Sequence, residues 1–132
     1  MKVLALDFGR ARTGVAVSDP TGTVARPLGV VARASTEGGL SELARLVEEH
    51  APGRIVVGYP LTLRGERGEQ VRETEAFVDA LRARVDVPIV TFDERLTTRI
   101  ASKAPSDTAA EDARAAAYLL SSYLEWSSGA PA

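Results

Sequence analysis

The chain contains no cysteine. Disulfides, zinc–thiolate centres and cysteine nucleophiles are thereby excluded. His50 is its one histidine, so a serine or cysteine triad has no second imidazole to draw on. His50 ends an apolar-periodic stretch just before "APG", and reads as a charge at a helix C-terminus. Lysine occurs only at Lys2 and Lys103. No apolar run approaches the ~18 residues that a membrane-spanning helix requires. The "GERGEQ" stretch lacks the lysine and hydroxyl residue of a phosphate-binding P-loop. Met1-Lys2 leads straight into an apolar stretch with no secretory signal before it, so a cytoplasmic location is expected.

What remains is an ordinary globular composition. The 132 residues are 45% hydrophobic and 26% charged, with a formal net charge of −2. That length suits one domain with one core, here expected over residues 1–127, with 128–132 as a disordered tail. A slightly acidic chain does not advertise nucleic-acid binding. Apart from the two lysines, the basic residues are all arginine, whose guanidinium suits bidentate contact with phosphate. Genomic base composition produces the same bias, so the positions of the arginines matter more than their number.

Periodicity predicts the elements. Val3 to Phe8 and Thr13 to Val17 read as strands joined by "GRAR". Thr23 to Val31 is a third, and Pro27 marks it as an edge strand or a bulge. Leu40, Leu43, Ala44 and Val47 then follow helical spacing, predicting a helix over Thr36–His50. "RIVVG" (54–58) is wholly apolar, as in a strand covered on both faces. A helix is predicted over 69–84, a strand over Pro88–Phe92, a short helix over Arg95–Ser102 and a last helix over Ala110–Trp126. A meander followed by βα units makes a mixed sheet with helices on its faces, an α/β fold.

In such folds ligands gather at the carboxyl ends of the parallel strands. Asp7 ends the first strand, Asp93 and Glu94 end the last, and Asp112 lies in the first turn of the final helix. Strand alternation sends Asp93 and Glu94 to opposite faces, so one of them joins Asp7. Each acid has a local explanation as well: Asp7 as a turn cap, the others as partners of a helix dipole. Carboxylates held together repel, and a divalent cation relieves that repulsion; oxygen ligands suit Mg²⁺ or Mn²⁺. Two such ions about 4 Å apart support phosphodiester hydrolysis. Arg10 and Arg12 follow Asp7, Arg64 and Arg67 follow "RIVVG", and Arg95 follows Glu94. Together they predict a positive rim able to hold a nucleic-acid backbone. Tyr59 and Phe92 lie near the same edge, where core packing is a better reading than base stacking. Trp126 reads as packing or as a contact.

"LALDFGRARTGVAVSD", "VVGYPLTLRGERGEQ", "FDERLTT" and "EDARAAAYLLSSYLE", in that order, resemble the YqgF/RuvX family from residue 3 to about 126. The first motif alone, D-x-G-x-x-x-x-G, is shared with sugar kinases and actin-like ATPases, which need two such halves around a nucleotide. The G-x-P-L loop with "DERLTT" is far more specific. The resemblance implies a ribonuclease H-like fold with a five-stranded mixed sheet and helices on both faces. It also implies a metal-dependent nuclease, assigned variously to trimming the 5′ end of precursor 16S rRNA and to resolving Holliday junctions. Asp7, Glu94 and Asp112 are then the catalytic and metal-binding acids of a two-ion Mg²⁺ or Mn²⁺ site, with Asp93 in reserve. Gly9 and Gly14 match the turn, where glycine permits φ > 0 and close approach of the backbone to a phosphate. RNA or DNA is the implied partner. Junction resolution requires a two-fold homodimer, whereas RNA trimming does not. Family members usually carry a longer, lysine-rich segment before the last aspartate. Here it is shortened to "RIASKAPSDTAAE", which removes phosphate contacts that affinity draws on. A non-catalytic nucleic-acid-binding factor on the same fold is the alternative of another class.

Overall fold

The computed structural model describes residues 1–61, 68–96 and 108–128. Five strands form one sheet: β1 (Val3–Asp7), β2 (Arg12–Ser18), β3 (Ala25–Ala32), β4 (Arg54–Tyr59) and β5 (Ile89–Asp93). Their order is β3-β2-β1-β4-β5. The meander β1–β2–β3 is antiparallel, and β4 and β5 run parallel to β1. Helices α1 (Glu37–His50), α2 (Glu69–Arg82) and α3 (Ala109–Ser127) complete the fold. The predicted mixed sheet and element order are therefore present.

Alternation of side chains divides the strands between two cores. Leu4 and Leu6 of β1, Val15 and Val17 of β2, and Ile55 and Val57 of β4 face α1 and α2. There they meet Leu43, Phe77 and Leu81. Val3, Ala5, Ala16, Val56 and Phe92 face the other way, against Leu119, Leu120 and Tyr123 of α3. β4 is buried throughout its centre because it supplies both cores, which is why its sequence is continuously apolar. Pro27 does both things expected of it. β3 pairs only with β2, and the ladder shifts register where Val15 faces Gly29 and Ala16 faces Pro27.

The helix ends follow local chemistry. Thr36 caps α1 by accepting from the Gly39 N–H. Thr108 caps α3 by accepting from the Glu111 N–H at 3.1 Å, and its hydroxyl donates to Glu111 Oε1 at 3.0 Å. The short helix predicted over 95–102 begins as a 3₁₀ turn, Glu94–Leu96; its remainder lies outside the described residues, as does the tail from 129. Among the described residues no helix is long and apolar enough to cross a membrane.

Candidate active site

The site grows out of strand register. Asp7 is the last residue of β1, and its Cα partner on β2 is Gly14. On the other side, Leu6 pairs with Val57 of β4, which brings Gly58 level with Asp7. Ala5, Ala16 and Val56 all face α3, and residues two further along share that face. Asp7 is thus flanked on the α3 side by two residues without side chains. Both spaces are used. A Cβ on Gly14 would collide with the backbone carbonyl of Asp112, and a Cβ on Gly58 would meet the Glu94 carboxylate at 2.5 Å. Glycine here gives close approach rather than unusual backbone. Positive φ among the glycines occurs at Gly22 and Gly29, so the φ > 0 expected at Gly9 and Gly14 is corrected. Gly9 also lies close to its neighbour, since a Cβ there would meet the Arg12 carbonyl at 2.5 Å across the β1–β2 turn.

Asp7 and Glu94 border one cavity of about 590 Å³, together with Gly9, Arg10 and, from α2, Glu69 and Glu73. Asp112 is not among its lining residues. Its carboxylate accepts from Arg12 Nε at 2.7 Å, while its backbone rests on Gly14. Two of the three expected acids therefore share the cavity, and the third stands one strand away, turned to an arginine. Among the described residues no group of three or more His, Cys, Asp or Glu side chains is close enough to hold a metal ion. Of the Asp93–Glu94 pair, Glu94 joins Asp7, as alternation requires. Asp93 takes the Arg95 guanidinium at 2.7–3.1 Å, and those hydrogen bonds hold its carboxyl below the usual range.

The arginines expected to form a positive rim are engaged with carboxylates. Arg10 contacts Glu73 at 2.6 Å and Glu69 at 3.1 Å, which pushes its guanidinium pKa upward. Arg12 holds Asp112, and Arg95 holds Asp93. Arg64 and Arg67 lie outside the described residues. Glu69 and Glu73 are site residues that sequence reasoning missed. Their i, i+4 spacing at the start of α2 puts both on one face, and that spacing was the available signal. Arg33 stands near the β1–β2 turn, outside the cavity lining. It adopts a left-handed conformation, φ 47°, and its N–H donates to the Ala11 carbonyl at 3.0 Å, placing it at the same edge of the sheet. Tyr59 donates to Glu75 at 2.6 Å and Phe92 is buried. Trp126 packs against Phe92 and Tyr123 while remaining 62% exposed.

Comparison with known proteins agrees with this architecture. The family model described as RuvX, Holliday junction resolvase, matches residues 1–126. A relative from Rubrobacter xylanophilus is 45% identical over 98% of this chain and 96% of its own length. A relative from Chloroflexus aurantiacus is 39% identical over 93% and 86%. Both carry the name "Putative pre-16S rRNA nuclease". Among solved structures, Thermus thermophilus RuvC bound to a Holliday junction substrate superposes with a TM-score of 0.63. It covers 98% of this chain and 96% of its own at 16% identity, a likeness of fold that identifies the sheet as ribonuclease H-like. With a match running from the first residue to the end of α3, the chain belongs to the RuvX family.

Proposed function

We propose that this chain is a divalent-cation-dependent nuclease that hydrolyses phosphodiester bonds in structured nucleic acid, with the 5′ end of precursor 16S rRNA as its substrate. The observation that carries this reading is the convergence of Asp7 and Glu94 on one cavity at the carboxyl ends of β1 and β5, with Asp112 one strand away. The relatives' name supports that substrate, and the family description supports nuclease action but names a Holliday junction instead. A cytoplasmic location goes with that substrate.

The donor set fits a hard cation: Asp7 and Glu94 offer carboxylate oxygens, which Mg²⁺ and Mn²⁺ prefer over other ligands. Asp112 completes the set only if Arg12 releases it. When bound, such ions lower the pKa of a coordinated water and neutralise charge on a phosphate. The protein's own residues do the rest. Arg12, once exchanged from Asp112, lies where a phosphate oxygen would take over as its acceptor. Arg10 offsets Glu69 and Glu73, whose charges would otherwise repel the backbone entering the cavity. Asp93, paired with Arg95, does not line the cavity, which leaves Glu94 to serve it.

Asp7→Asn is the test, assayed with Mn²⁺ on labelled single-stranded RNA, single-stranded DNA and a four-way junction. Changes one shell further out already cost about 10–100-fold in metal sites, so the loss here should exceed about 100-fold. Undiminished cleavage by the variant removes Asp7 from the chemistry. Preference for the four-way junction, with a solution mass of two chains, would replace RNA trimming by junction resolution. RNA binding in EDTA without cleavage in Mn²⁺ would leave only a binding factor.

A further inference from the structure

A second, smaller cavity of about 290 Å³ adjoins the first and shares Phe8, Arg10 and Glu73 with it. Its remaining walls come from Ala76, Phe77 and Ala80 of α2 and from Ser35 in the connection before α1. Glu73, Ala76, Phe77 and Ala80 follow i, i+3, i+4, i+7 spacing and so form one stripe of α2. Phe8 directly follows Asp7 in the chain and is half-buried. Its ring stacks on that of Phe77, centroids 4.5 Å apart at 17°, and Phe77 is only 1% exposed. Phe77 thus backs Phe8 from within the core, and the partly exposed Phe8 ring is the aromatic surface that borders both cavities. Polar groups stand at the boundary, where the Arg10 guanidinium donates to Glu73.

We propose that this second cavity is a nucleobase subsite, which takes an unpaired base of the strand whose phosphate lies at Asp7. The proposal rests on the nuclease reading above and deepens it by naming the form of substrate. Three features select a base over other occupants. At about 290 Å³ the cavity falls just below the usual range for ligand sites, which suits one ring system rather than a helix or a lipid chain. Its wall includes the partly exposed Phe8 ring, and stacking accepts the face of any base. It shares Phe8, Arg10 and Glu73 with the carboxylate cavity, so the two are neighbours on the surface and a nucleotide with its phosphate in one has its base beside the other. A base held in a duplex stack cannot enter, so the subsite selects strands that are single or locally opened.

The test measures binding in EDTA, separately from cleavage, by fluorescence polarisation with labelled single-stranded RNA and a fully paired duplex of the same sequence. Ala76→Phe fills the cavity from an exposed helix position, and Ser35→Phe fills it from the opposite wall, so the two do not share a folding risk. Both should weaken single-strand binding by about tenfold, the scale of one lost base stack, and leave duplex binding unchanged. A scan of single abasic sites along the RNA should find one sensitive position in the wild type and none in Ala76→Phe. Unchanged binding by both variants overturns the proposal, as a cavity meant for a partner protein's side chain would give. Equal weakening for single strand and duplex overturns it too, and so does no binding by the wild type. If the wild type binds and both variants bind worse, yet nothing is cut in Mn²⁺, the nuclease reading fails and the subsite stands. Normal cleavage with unchanged variant binding has the reverse meaning.

Discussion

Two glycines define what surrounds Asp7, and their roles can be separated. The atom facing Gly14 is backbone, the Asp112 carbonyl, which moves only if the start of α3 moves. Gly14→Ala should therefore destabilise the protein by about 1–3 kcal/mol, read from urea unfolding. The atoms facing Gly58 belong to the Glu94 side chain rather than to backbone, so a methyl there displaces that side chain before it displaces the fold. Gly58→Ala should leave the unfolding midpoint near wild type and lower kcat. The reverse pattern, an unstable Gly58→Ala with full activity, would show that Glu94 does not act from this position. Alternation sufficed to show that only one of Asp93 and Glu94 would stand beside Asp7; the family resemblance chose Glu94, which borders the same cavity. Nothing local in the sequence could show that glycines on β2 and β4 stand level with Asp7, because that depends on interstrand register.

Among the connections between elements, the β2–β3 loop is organised by one carboxylate. Asp19 accepts from the Thr23 and Val24 N–H groups at 2.8 and 2.9 Å and from the Thr21 hydroxyl. Gly22 supplies the left-handed residue of the turn, φ 72°. The Thr21 hydroxyl first, then the two backbone donors, hold the Asp19 carboxyl well below the usual carboxylate range. A carboxyl with a depressed pKa in the folded state stabilises the fold above its unfolded pKa of about 3.9 and loses that contribution as pH falls towards the folded value. Asp19→Asn should accordingly melt below wild type at pH 7, and the gap should close as the solution is acidified below about pH 4. A gap of constant size would show that the ionised form has no special place in this loop. Helices α1, α2 and α3 were well predicted because their apolar spacing is a local property: Phe77, Val78 and Leu81 are all buried, as are Ala116, Leu119, Leu120 and Tyr123.

Over the whole molecule, charge is balanced within the site rather than projected from it. The net charge is −2, and the three rim arginines in the described residues each meet a carboxylate. Substrate phosphates must then compete with those carboxylates. If Arg10, Arg12 and Arg95 are the contacts, log–log plots of single-strand affinity against salt should have a slope near −2. All five arginines named from the sequence would give no more than about −4. A steeper slope would place the main contacts on other cations, Arg33 among them.

The sequence by itself determined the element order, the edge position of β3, the two-sided burial of β4 and the identity of the acids at strand ends. Each of these is written in spacings of two or three to four residues, which a single segment carries whole. Tertiary structure alone decided which groups meet. Arg10 finds Glu73 across 63 residues of chain, Arg12 pairs with Asp112, and Phe8 meets Phe77 beside a second cavity. Those encounters follow from how the helices settle on the two faces of the sheet. That packing is a property of the folded core, with no counterpart in any stretch of neighbouring residues.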